Sequence, residues 1–109
     1  MATNTFTSYV NKNVGTTPAA VVTVGASTQT TVIGLSFANT TSSPITADAY
    51  ITRSAVNYYL IKGATVPVGS SLVVVDGDQK VVLTTSDVLY VVTSAASSAD
   101  VVTSVLNIT

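Results

Sequence analysis

The chain contains no cysteine, no histidine, no tryptophan and no glutamate. Without cysteine, disulfides and thiolate metal sites are excluded, and the redox compartment is left open. Without histidine, the usual general base, the physiological pH switch and the commonest metal ligand are all missing. A zinc site would have to rest on carboxylates alone, which is rare. Charge is also scarce: 8% of residues are charged, against about 25% in typical soluble domains. The four basic residues Lys12, Arg53, Lys62 and Lys80 are scattered, and the net charge is −1. Nucleic-acid affinity needs clustered Lys and Arg, so DNA or RNA is not an expected partner. No apolar run is long enough to span a bilayer. The start, Met1-Ala2-Thr3-Asn4-Thr5, lacks a basic segment followed by an apolar one, so no secretory signal is expected.

Valine and threonine dominate what is present. Both are β-branched and suit a pleated surface, whereas good helix formers are few. With 47% apolar residues and so little charge, the chain has the opposite of a disordered composition. Its polar surface must be built from Thr, Ser and Asn, with little charge repulsion to keep copies apart.

A length of 109 residues suggests one domain. Turn residues recur at short intervals, the rhythm of a sandwich or barrel. Strands are expected at 6–11, 20–24, 30–39, 45–53, 56–62, 72–75, 80–83, 88–93 and 101–108. Short connections require antiparallel pairing. The fold class is therefore an all-β antiparallel sandwich, Ig-like or jelly-roll-like, of about eight short strands. Residues 1–15 form a first strand or an extended arm that orders on binding, and 16–109 form the sandwich domain. In 30–39, a period of two puts Ile33, Leu35 and Phe37 on one face and Gly34, Ser36 and Ala38 on the other. Asp76-Gly77-Asp78-Gln79 lies between two apolar runs, which predicts a hairpin joining 72–75 to 80–83. The segments 73–75, 88–92 and 101–106 are apolar on both faces or nearly so, which is expected either of central strands in a thick sandwich or of second faces covered by another molecule.

No constellation for catalysis emerges. Asp76 and Asp78 flank Gly77 like part of a calcium loop, but the remaining ligands and the closing Glu are missing, and the turn accounts for all three. Asp87 and Asp100 sit where turn residues cap backbone amides. Neither has an acid/base partner near it in sequence; Asp48 is expected to be a solvated structural residue unless the fold pairs it with another Asp, and serine nucleophiles lack a His base. Gly63, Gly69 and Gly77 are spaced as turn residues, not as a phosphate cradle. Asn39-Thr40-Thr41 and Asn107-Ile108-Thr109 match the glycosylation pattern, as a Thr-rich chain does by chance. No cofactor, metal or small-molecule substrate is implied. The candidate interface residues are Phe6, Tyr9, Val10, Tyr58, Tyr59, Val73, Val75 and Tyr90. Tyr58 and Tyr59 are adjacent on one strand, so one ring is expected inside and the other outside, as an ordinary amphipathic strand residue, an interface anchor or a sugar-stacking platform.

Several stretches carry a resemblance: Thr31-Val32-Ile33-Gly34-Leu35, Asp48-Ala49-Tyr50-Ile51-Thr52-Arg53, Val66-Pro67-Val68-Gly69-Ser70-Ser71-Leu72-Val73-Val74, Lys80-Val81-Val82-Leu83, Ser86-Asp87-Val88-Leu89-Tyr90-Val91-Val92-Thr93-Ser94 and Asp100-Val101-Val102-Thr103-Ser104-Val105-Leu106. In these the chain resembles small β-sandwich virion structural proteins of tailed bacteriophages, including cyanophages. Where that pattern carries Gly before the turn Asp, this chain has Ser86. The resemblance implies a non-enzymatic head decoration or cement protein, or else a tail, neck or baseplate accessory. Its partners would be other virion proteins and copies of itself, and its location the virion, after synthesis in the host cytoplasm. A carbohydrate-binding or adhesive module using Tyr58 or Tyr59 is the reading from a different class.

Overall fold

The computed structural model describes residues 3–75 and 80–109. The β-branched runs form nine strands among these residues: β1 (Asn4–Val14), β2 (Ala19–Thr23), β3 (Gln29–Asn39), β4 (Ile45–Arg53), β5 (Val56–Val66), β6 (Ser71–Val75), β7 (Val81–Leu83), β8 (Val88–Thr93) and β9 (Ala99–Ile108). They make two antiparallel sheets that pack face to face. The first has the order β1-β9-β3-β6, with β7 also on β3, and the second the order β2-β8-β4-β5. Successive strands often change sheet, so the core is closed by non-local pairing.

The core is aliphatic. Leu35, Phe37 and Val32 of β3 meet Val101 and Val105 of β9, Leu83 of β7, and Leu89 and Val91 of β8, all fully buried. Small Ala47 and Ala49 on β4, also without exposure, leave room for these larger side chains. Among the described residues one buried side-chain polar atom has no partner, the Thr103 hydroxyl. Asn39 is buried and fully engaged: its amide nitrogen donates to the carbonyls of Ser43 (2.9 Å) and Val66 (3.0 Å), and its oxygen accepts from Thr41. An asparagine locked this way organises the 40–44 loop and presents no free amide for a glycan.

Three expectations need correction. The runs 72–75 and 80–83 do not face each other in a hairpin. Both pair with β3, β6 along Leu35–Ala38 and β7 along Thr30–Val32. They act as one interrupted edge strand, because each gains a full antiparallel ladder on β3. The turn residues 76–79, with Asp76 and Asp78, lie outside the described residues. Ile33 is not on the core face, because β3 bulges against β9 between Val32 and Gly34. A bulge shifts the alternation by one, so Thr30 and Val32 face inward before it and Leu35 and Phe37 after it. Finally, Tyr58 and Tyr59 are both exposed, at 56% and 44%. They lie on an edge strand that overhangs the core, so an inward face there does not mean burial.

The β4–β5 connection is a two-residue turn. Ser54 and Ala55 have φ of 52° and 62°, and Arg53 pairs with Val56 across it. Positive φ at both central positions is the turn geometry that matches strand twist, here adopted without glycine.

Candidate interaction surfaces

The outer face of the first sheet carries the main concentration of exposed apolar side chains. Strand register builds it in rows. Val10 lies beside Val102, which lies beside Ser36, which lies beside Val73. A second row runs Phe6, Leu106, Thr31, Val82. Between them runs a row of small residues, Ser8, Ser104 and Gly34. Phe6 and Val10 are each 75% exposed, and Val73, Val82 and Val102 about half. The small row lies in a shallow depression of about 360 Å³ lined by Phe6, Ser8, Ile33 and Ser104. The surface is two apolar ridges flanking a groove. Clustered exposure of this kind marks association sites more than scattered single residues do.

The outer face of the second sheet is built differently. Tyr90, Tyr50 and Tyr59 are cross-strand neighbours on β8, β4 and β5. Tyr50 stacks on Tyr90 at 5.5 Å and tilts against Tyr59 at 5.0 Å. Lys62 places its ammonium 4.7 Å from the Tyr59 ring centre, within cation–π range. Burial between its neighbours, and then their proximity, pushes the Tyr50 hydroxyl pKa upward.

The sequence candidates therefore separate. Phe6, Val10 and Val73 come together on the outer face of the first sheet. Tyr59 and Tyr90 belong to the tyrosine ladder of the second, which also contains Tyr50. Tyr58 stands apart, beside Ile51, Arg53 and Val82 at a cleft between the sheet edges. Val75 is a core residue, 1% exposed, because the β3–β6 bulge turns it inward opposite Leu35. Tyr9 is half-buried against the core from the inner side of β1. Neither offers a free surface. The ladder escaped sequence reading because its members are far apart in the chain and adjacent only once the strand order is known.

The described carboxylates are all engaged locally. Asp48 accepts the Gly63 amide at 2.6 Å, bridging the β4–β5 irregularity. Asp100 accepts the Asn13 amide and the Lys12 ammonium. Asp87 is buried and accepts from Arg53 Nε, Arg53 Nη2 and the Thr84 amide (2.8 Å). The Arg53 hydrogen bond and charge, together with the Thr84 amide, hold its carboxyl below the usual range, against the opposing effect of burial. Among the described residues there is no group of three or more acidic, His or Cys side chains that could hold a metal.

No protein-family model matches the chain, and no curated protein matches it in sequence. Its fold is nevertheless similar to that of chains in several solved structures. It is similar to a chain from the disulfide-linked pili of Bacillus endospore appendages, with 14% identity, TM-score 0.56, and 97% of this chain and 86% of that one covered. It is similar to a chain from the acid-stable capsid structure of Helicobacter pylori bacteriophage KHP30, with 12% identity, TM-score 0.51, and coverage of 100% and 94%. A chain of infectious bursal disease virus, Gx strain, is 11% identical with TM-score 0.54. The present chain covers 33% of that viral protein's length and is itself covered over 99%. At these identities the likeness is one of fold.

Proposed function

We propose that the chain is a non-enzymatic structural protein of a phage virion, set on the head as a decoration or cement protein. The observation that carries this is the ridged apolar outer face of the first sheet, on a domain with almost no charge. Such a face stabilises a shell by burying Phe6, Val10, Val73, Val82 and Val102 against neighbouring subunits. The fold likeness supports the reading, since the phage-capsid chain is matched over nearly its whole length. The pilus likeness has the higher TM-score, 0.56 against 0.51, but those pili are disulfide-linked, and a chain with no cysteine cannot be joined that way. The engaged carboxylates, in a sequence without His, Cys or Glu, favour an assembly role over catalysis.

The test is immunogold labelling of purified particles from the phage that encodes the chain. Dense label over heads is the expected result. Label confined to the tail, neck or baseplate would replace decoration with an accessory role. Unlabelled particles would remove the virion reading. A second reading rests on the tyrosine ladder: Tyr59 and Tyr90 with Lys62 form an aromatic platform suited to stacking a sugar ring. Binding on a glycan array, lost in Tyr59→Ala, would favour that adhesive role.

A further inference from the structure

Strand β1 closes one side of the first sheet, and among the described residues no strand pairs with its other edge. The direction of its backbone groups follows from one pair. Thr3 and Thr109 exchange both amide hydrogen bonds, at 2.8 and 3.0 Å. Antiparallel ladders alternate such pairs, and the β1–β9 register is unbroken from Asn4 to Asn11. Thr5, Thr7, Tyr9 and Asn11 therefore bond to β9. Asn4, Phe6, Ser8 and Val10 direct their amides and carbonyls outward, away from the sheet. The same four residues point their side chains to the outer face, where Phe6 and Val10 stand 75% exposed. The edge also lacks the usual protections. It has no proline and no bulge before Asn11, and its only charge is Lys12.

We propose that two copies of the chain associate edge to edge through β1, antiparallel, about a two-fold axis at Ser8. The register follows from the sequence. Outward-facing residues must meet outward-facing residues, so only even positions pair. Centring on Ser8 sets Phe6 opposite Val10 of the second copy, and Val10 opposite its Phe6. Aromatic against β-branched is a favourable cross-strand pair. Asn4 then meets Lys12 at each end, so no like charges oppose one another. Centring one residue earlier would put Phe6 opposite Ser8 and Val10 opposite Asn4, wasting both apolar contacts. In the Ser8 register the rows of the outer face also join. The ridge of Val73, Val102 and Val10 runs on into Phe6, Leu106 and Val82 of the second copy, and the small-residue groove continues across the axis. The interface is isologous, as a closed dimer requires. This goes beyond the virion reading and does not depend on it, because the pairing is a property of the free chain.

The test uses the full chain in solution. Sedimentation equilibrium should show a concentration-dependent dimer. Ser8→Pro removes an amide that faces away from β9, so the fold should be kept, as judged by its thermal melt. Pairing across the axis should weaken by about thirty-fold or more, the equivalent of two lost backbone hydrogen bonds. If that variant fails to fold, Val10→Lys blocks the same contact from an exposed side chain. Ser8→Cys should form a disulfide-linked dimer on mild oxidation, because directly opposite residues stand about 5.5 Å apart at Cα, within disulfide reach. Asn4→Cys should not. A wild type that stays monomeric, a dimer indifferent to the blocking variants, or equal crosslinking at positions 4 and 8 would each overturn the proposal. Particle labelling is a separate measurement, so failure here leaves the virion reading standing.

Discussion

Replacing Asp87 by asparagine should lower stability by about 2 kcal/mol at neutral pH. The residue joins three parts of the sandwich. Its carboxylate receives Thr84, which follows β7 in the first sheet, and Arg53, which ends β4 in the second. It is itself the residue before β8. Asparagine keeps an acceptor for the Thr84 amide but loses the paired charge. A charge-assisted hydrogen bond contributes about 1.5 to 3 kcal/mol, and the lower part of that range applies because Arg53 is half-exposed to water. Against a total stability on the order of 5 to 15 kcal/mol, that is a large share. In urea it corresponds to a midpoint about 1 to 2 M lower. The pH dependence gives the sharper check. The carboxyl is held below its ordinary value by Arg53 and the Thr84 amide. A carboxylate with a depressed folded pKa contributes stability that is complete above its unfolded value, about 3.9, and lost as pH falls through its folded value. The difference between wild type and Asp87→Asn should therefore be constant from pH 7 to roughly 5 and narrow below 4. Equal stabilities at pH 7, or a gap that does not narrow in acid, would refute the argument.

Glycine at left-handed positions should stabilise: Ala55→Gly and Ser86→Gly, at φ of 62° and 73°, should each raise urea-derived stability by about 0.5 to 1 kcal/mol after the entropy lost to a more flexible unfolded chain. Thr103→Val removes a buried hydroxyl without a partner and should raise stability by about 1 kcal/mol, with crystal or NMR data showing the core unchanged. Burial raises the Tyr50 pKa, so its stabilising contribution is complete below the ordinary tyrosine value and lost as pH rises through the folded one. Ultraviolet titration should show one late phenol, absent in Tyr50→Phe, and alkaline unfolding should begin at a higher pH in that variant.

Much of the fold was legible because β-branched runs and turn residues fix strand positions locally. Strands β4 and β8 fall at the expected residues, 45–53 and 88–93. What depends on strand order was not legible. The Asp-Gly signal favoured a local hairpin, but pairing β6 and β7 with β3 satisfies more backbone groups. Ile33 followed the period of two until the bulge beside Gly34 reversed its face. Asp87 looked like a turn cap, which it is through Thr84, but its Arg53 partner stands 34 positions away. Ser86 shows a local rule at work: the resembled phage pattern carries glycine there, and the position has positive φ. Of the candidate residues, Phe6 and Val10 came from the first strand or arm and Val73 from a strand apolar on both faces, while the row that unites them appears only from register.

The two long edge strands explain why one side of this molecule is suited to pairing and the other is not. β1 and β5 are both eleven residues long, and both close a sheet. The β4–β5 ladder is interrupted twice, around Ala49, and Gly63 adds a left-handed residue with φ of 69°. Lys62 stands next to that kink with its charge over Tyr59. Bulges and an edge lysine are the devices by which a sheet rejects an added strand. On the same sheet the tyrosine ladder covers Tyr50 with its own neighbours, leaving less apolar surface for a partner to bury. β1 has none of these features between Asn4 and Asn11, and the face beside it keeps Phe6, Val10 and Val102 open. An edge that accepts a strand and a face that gains from being covered therefore coincide on one side of the sandwich. That polarity matches the proposed pairing of two copies through β1.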